Sequence, residues 1–314
     1  MAMRKTTAQP HAESYPNALQ QQLDGYIADL RARKQAPATI RKRTDNVKRL
    51  LDHLADRHVC RLQDVDLDVL TSFRLALIDH GYAPNTIYSC LVTVRCFFAF
   101  LTDHGVLFEN PAAAMPIAKP PKTLALVLDQ DQIRRLLNQP DLTTPAGQRD
   151  RAVLELLYAT GIRAGECVGL TIFDADLDKQ TVKVRGKGAK DRLLPLGRHA
   201  ADHLRHYLAT ARPRLIRDND PPDKLFLGCR RARPLQVTDL RLIIKRHAPA
   251  ADLPYQTDTH TIRRTCATHM LRGGAHPVAV ARMLGHADLT SLAHYLKTTI
   301  TDLKQTHAKT KPGQ

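Results

Sequence analysis

The sequence predicts a mainly α-helical protein in two domains, with one small antiparallel β-sheet in the second. Three observations carry that expectation. Apolar residues recur at three- and four-residue spacing through most of the 314 positions. One stretch, from Thr181 to Leu196, changes to strand-like residues around a glycine-bearing turn. Four prolines, Pro111, Pro116, Pro120 and Pro121, fall among alanines and lysines, the composition of a semi-rigid linker. The expected divisions are a mobile segment over 1–18, a helical domain over 19–109, the linker over 110–124 and a second domain over 125–314.

In chain order, Leu19, Leu23, Tyr26, Ile27 and Leu30 predict the first helix. Ile40, Val47, Leu50, Leu51 and Leu54 predict the second, with Pro37 as its start signal. Leu67, Leu70, Phe73 and Leu77 form the third, with Asp66 as N-cap. Ile87, Leu91, Val94, Phe98 and Leu101 form the fourth, ending near Gly105. The openings Ala36-Pro37-Ala38-Thr39-Ile40 and Ala83-Pro84-Asn85-Thr86-Ile87 echo each other. Beyond the linker, Asp129 caps a short helix, and a longer helical pattern runs from Arg149 through Leu157 into Gly161. Strands at 181–186 and 192–196 flank the turn Lys187-Gly188-Ala189-Lys190. Helical patterns follow at 199–215, 237–247, 260–272, 277–284 and 290–307.

The net charge of +16 favours a polyanionic partner. No amphipathic anchor or lipidation motif points to a membrane surface, and no apolar run approaches the ~18 residues of a span, so nucleic acid leads and a cytoplasmic location is expected. Six scattered cysteines without a C-x-x-C pair read as buried thiols and not as a disulfide framework. Arg41, Lys42, Arg43, Lys48 and Arg49 crowd the polar side of the second helix. With Thr39 and Thr86 at the two echoing helix starts, and Lys190 in the hairpin turn, they are the candidate DNA contacts, since free backbone N–H groups at helix starts suit phosphates. A solvated basic face is the plain alternative.

The last quarter of the chain holds His260-Thr261-Ile262-Arg263, then Leu284-Gly285-His286, then Tyr295 nine residues beyond. Upstream stands Tyr158-Ala159-Thr160-Gly161-Ile162-Arg163, with Glu166 three residues on. Taken singly, each has a structural explanation. Arg163 and Glu166 suit a helix start, Lys187 suits a turn, His286 a helix end and Tyr295 a packed aromatic. Taken as a set, they suit an attack on a phosphodiester. Donors fixed on the non-bridging oxygens stabilise the pentacoordinate transition state, and a planar guanidinium engages two oxygens while staying charged. A phenol, with its free pKa of ~10, needs help to lose its proton before it can attack. The scattered histidines lack metal-ligand spacing, and neither a Walker loop nor a dinucleotide fingerprint is present, so no cofactor is expected.

These blocks resemble the tyrosine recombinases, the phage-integrase family, over about residues 19 to 310. The resemblance implies a helical, SAM-like core-DNA-binding domain and a mixed α+β catalytic domain acting on double-stranded DNA. It implies Tyr295 as nucleophile, Arg163, Arg263 and His286 as phosphate ligands, Lys187 as general acid and His260 as an aid to proton transfer, with Glu166 as support. Members leave a 3′-phosphotyrosine and a free 5′-hydroxyl, and exchange strands through a Holliday junction, usually as tetramers on DNA. A second recombinase or an accessory factor is left open, as is the role of His294. A C-terminal helix, about 298–307, commonly docks on a neighbouring subunit. Arg264 stands where the family often has His, and Cys266 where an aromatic is frequent, which implies altered packing without loss of activity. Residues 1–18 are too few for the extra N-terminal domain of integrases that bind a second class of sites. A compact recombinase of the Xer or transposon type is the expected kind, and a type IB topoisomerase-like enzyme, a catalytically inactive DNA-binding accessory protein and a basic coat for nucleic acid are its rivals.

Overall fold

The computed structural model describes residues 17–121, 126–186, 191–216, 223–228 and 233–285. Two compact units divide between Thr123 and Leu124. The first is wholly helical: α1 (Asn17–Ala32), α2 (Pro37–Asp56), α3 (Leu67–Asp79) and α4 (Pro84–Asp103). The four apolar stripes expected from spacing turn inward except at Leu67, the first residue of α3, which is exposed. Leu23, Tyr26, Leu50, Leu54, Leu70, Phe73, Phe97 and Phe98 form one buried cluster. Asp66 caps α3, its carboxylate accepting from the Val69 N–H. The echoing starts of α2 and α4 share a geometry: Ala36 and Ala83 are both extended, each with Pro next and without a side-chain cap.

By length and composition α4 meets the criterion for a membrane span, which the sequence reading did not anticipate. Its apolar residues Cys90, Leu91, Val94, Phe97, Phe98 and Leu101 are buried in the unit's own core. The proline-bearing stretch after it also differs from a bare linker. Arg95 donates to the carbonyls of Ala112 and Met115, Asn110 accepts from the Ala112 N–H at 2.9 Å, and Ala112 and Met115 are buried. Met115 and Ala112 supply apolar surface that α4 would otherwise leave to water.

The second unit begins with α5 (Gln130–Leu137), capped by Asp129 as expected. Helix α6 (Pro145–Thr160) starts four residues before Arg149, because Thr144 caps it by accepting from Gly147 N–H and Pro145 fits its first turn. Helix α7 (Ala164–Gly169) follows, too short to show a period. The sheet is β1 (Ala175–Asp176), β2 (Thr181–Arg185) and β3 (Asp191–Pro195), antiparallel in that order, with Val182 opposite Leu194 and Val184 opposite Arg192. Val182, Val184 and Leu194 are buried, so one face of the sheet covers the core. The pattern over 199–215 resolves into α8 (Gly197–His206), a π-turn (Tyr207–Ala211) and α9 (Arg212–Leu215). Pro213 has no N–H to continue the α-helical ladder, and the Thr210 hydroxyl donates to the His206 carbonyl at 2.7 Å. Then come α10 (Val237–His247), α11 (Thr259–Arg272) and α12 (Pro277–Leu284). The expected helix over 290–307 lies outside the described residues.

Candidate active site

The site is built where α6, α11 and α12 end or begin. Helix α6 stops at Gly161, whose φ of +58° is left-handed. A Cβ there would stand 2.7 Å from Leu284 Cδ2 and 3.3 Å from Cys266 Sγ, so any side chain at this position is strained. The close fit brings the backbone before Arg163 against α11 and α12. Ile162 is buried, Arg163 is extended, and α7 then begins with Glu166 reaching back to accept the Arg163 N–H at 2.8 Å.

Asp258 caps α11 by accepting from the Thr261 N–H at 2.7 Å. Most of that helix is enclosed, Arg263 with it, at 5 % exposure. Its guanidinium donates to the Gly161 carbonyl at 2.6 Å and the Leu284 carbonyl at 2.7 Å. These are carbonyls at the ends of two helices, where such groups lack intrahelical donors and carry partial negative charge. Helix α12 closes on Gly285, also left-handed with φ +67°. Arg163 Nη2 donates to the Gly285 carbonyl at 3.2 Å, and Arg163 Nη1 to Glu166 Oε1 at 3.1 Å. The two arginines read from separate sequence blocks thus bond consecutive carbonyls, immediately before His286.

Behind them, Tyr158 Oη and His269 Nδ1 lie 2.9 Å apart, and Thr265 Oγ1 accepts from the Leu128 N–H at 3.0 Å. These bonds fix α6 and the chain before α5 against α11. Burial pushes the His269 pKa down and the Cys266 thiol up to about 12, so both stay neutral at pH 7. Cys266 packs beside Gly161, its Sγ 3.3 Å from where a Cβ on that glycine would stand. Glu166 remains ionised despite burial, which alone would raise its pKa. Hydrogen bonds from Arg192 and the Arg163 backbone, with both guanidinium charges, lower it below the ordinary glutamate value.

Arg192 was missed in the sequence. Its signal was available: in the alternation of β3 it shares the inward face with Leu194, where an arginine requires a partner. His260 is exposed on the first turn of α11, one turn before Arg263, and its carbonyl accepts from Arg264 Nε at 3.3 Å. Lys187, Lys190, His286, His294 and Tyr295 lie outside the described residues.

In the first unit Arg41 and Lys42 are exposed on α2, while Thr39 and Thr86 are half-buried in the first turns of α2 and α4. Arg43 donates to Tyr26 Oη at 3.4 Å. Arg49 donates to Asn46 Oδ1 at 2.8 Å and lies over the Tyr82 ring. Lys48 is half-buried. The basic side of α2 is therefore partly built into the unit and partly open to solvent.

A helical basic unit followed by a unit with two converging arginines matches known proteins over nearly its whole length. The model of the phage integrase family matches residues 126–301, and that of the phage integrase N-terminal SAM-like domain matches residues 23–105. The chain belongs to the phage integrase family. It is 33% identical to tyrosine recombinase XerC of Pelotomaculum thermopropionicum, over 92% of this chain and 97% of that protein. It is 32% identical to tyrosine recombinase XerD of Staphylococcus epidermidis, over 85% of this chain and 90% of that protein. In fold it resembles the XerH site-specific recombinase bound to palindromic difH substrate, with TM-score 0.74 and 18% identity, over 92% of this chain and 84% of that one. Site-specific recombination by a tyrosine recombinase of Xer-like type is accordingly its activity.

Proposed function

We propose that this chain cleaves and rejoins double-stranded DNA at a specific site, through a 3′-phosphotyrosyl bond made by Tyr295. The observation that carries the reading is the convergence of Arg163 and Arg263 on the adjacent carbonyls of Gly285 and Leu284, one residue short of His286. Two of the assigned phosphate ligands thereby bond adjacent carbonyls, and the third, His286, is the next residue in the sequence; donors gathered in this way would stabilise charge developing on a phosphate.

In the proposed step the Tyr295 phenol oxygen attacks phosphorus in line, and its proton passes to a base, with His260 the assigned aid. The bond from phosphorus to the 5′-oxygen breaks, and Lys187 protonates that oxygen. Arg163, Arg263 and His286 hold the non-bridging oxygens while charge develops on them. A 5′-hydroxyl from the partner duplex reverses the step, so the bond energy is conserved and no nucleotide is consumed. Four copies on two duplexes would exchange strands in pairs through a Holliday junction, in the cytoplasm. The basic side of α2 and the starts of α2 and α4 would meet the phosphates of the duplex.

The test is recovery of covalent protein–DNA adducts from cells under denaturing conditions, for wild type and Tyr295→Phe, with sequencing of the attached DNA. Adducts clustered at one sequence and missing from the variant are expected. Adducts that persist in Tyr295→Phe would remove Tyr295 from its role, and their absence from both proteins would reject strand cleavage.

A further inference from the structure

Three stretches of the second unit converge on a side chain to which the proposed reaction assigns no part. Arg192 stands on the inner face of β3, opposite Val184 of β2. Its Nη1 and Nη2 donate to Glu166 Oε1 and Oε2 at 3.0 and 2.7 Å, a bidentate fork. Its Nε donates to the Met283 carbonyl at 2.9 Å, in the last turn of α12. A Cβ on Gly285 would lie 3.1 Å from its Cζ and Nη1.

We infer that Arg192 is a positioning residue for strand cleavage: by holding both oxygens of Glu166 it keeps that carboxylate from neutralising Arg163, and leaves the Arg163 guanidinium available to the scissile phosphate. The inference rests on the reading of Arg163 as a phosphate ligand given above. One carboxylate faces two guanidiniums, so the cluster carries a positive charge in excess. The division of the bonds decides where that excess resides. Arg192, 15% exposed, takes both oxygens in short, paired geometry, while Arg163, 40% exposed, reaches only Oε1 at 3.1 Å. Its other contact, to the Gly285 carbonyl, is 3.2 Å, so both of its bonds lie at the long end of the usual range.

A phosphate can replace those two long bonds without stripping Glu166 of a partner, because Arg192 remains. Without Arg192, a mostly buried carboxylate would have one guanidinium for a counter-ion and would draw it into the fork. Arg163 would then meet the phosphate with its charge neutralised and its plane turned away.

The experiment uses the full chain and a nicked duplex bearing the sequence recovered from wild-type adducts. It compares wild type, Arg192→Gln, Glu166→Gln and the double variant. The readouts are the single-turnover rate of adduct formation at saturating DNA, the Kd for the same duplex and the unfolding midpoint. Arg192→Gln is expected to slow cleavage by about 10- to 100-fold, the range for a reacting group displaced by about 1 Å, with a much smaller change in Kd. Adding Glu166→Gln to it is expected to restore part of the lost rate, because a neutral amide no longer captures Arg163. A purely structural Arg192 predicts the opposite, a double variant no faster than Arg192→Gln. That result, or wild-type cleavage by Arg192→Gln, overturns the inference. If Arg192→Gln does not fold, Glu166→Gln and the double variant decide, with equal rates expected and a slower double variant overturning the inference. A wild-type protein that yields no adduct overturns the functional reading and the inference with it.

Discussion

Left-handed glycines at 161 and 285 set how closely the three chain segments of the site approach. Gly161→Ala forces a Cβ into Leu284 and strains a φ of +58°, so a loss of about 1–3 kcal/mol is expected from urea unfolding of the full chain. Gly285→Ala meets a guanidinium that can shift, so a smaller stability loss is expected, together with slower adduct formation as Arg192 is displaced. Arg163 and Arg263 stand out in the sequence through their blocks, and the structure brings both to carbonyls at the end of α12. Arg192 does not stand out, because its meaning depends on which face of a two-strand register looks inward, and on a carboxylate 26 positions away. Glu166 reads in the sequence as a helix-start residue, and the resemblance adds a supporting role. In the structure it accepts from the Arg163 backbone N–H and two guanidiniums.

At the scale of elements, α6 is fastened to α10 by charge. Asp150, 1% exposed, accepts from Arg149 at 2.6 Å, pairs with His247 at 3.0 Å and meets Arg246 at 3.2 Å. Asp150→Asn leaves Arg149 buried without its counter-charge, and should cost about 3–5 kcal/mol by denaturant unfolding. Burial raises the Asp150 pKa, but the His247 hydrogen bond and the bonds and charge of Arg149 outweigh it and hold the value below the ordinary range. Glu166 behaves alike. A lowered folded pKa contributes stability that is present above the unfolded value and lost as pH falls through the folded one. Unfolding free energy should therefore decline below about pH 4, and less steeply in Asp150→Asn, which a pH series of urea titrations checks. Long helices were legible because three turns or more expose a period. Helix α7 and strand β1, of six and two residues, are below the length at which a period exists. The π-turn in the stretch after α8 follows from Pro213, a residue visible in the sequence whose effect on the ladder was not drawn out.

For the molecule as a whole, the surplus of positive charge governs the first encounter with DNA. A footprint of about six phosphates should lose about 10³ in affinity between 50 and 200 mM salt. Equilibrium binding of an arbitrary duplex across that range tests it, and a flat response would contradict a phosphate-dominated contact. The two-unit plan was legible from the proline cluster, although the first unit claims part of that cluster through Arg95, Ala112 and Met115. This clasp bears on how such units can be exchanged. A basic helical unit transplanted to another catalytic partner would have to bring its chain through Met115. A graft cut at residue 109 would take two apolar plugs out of the core and leave the Arg95 guanidinium facing the gap. Recombination between relatives to alter site preference is therefore expected to succeed at joints beyond residue 117, and to give insoluble chimaeras at joints before 112.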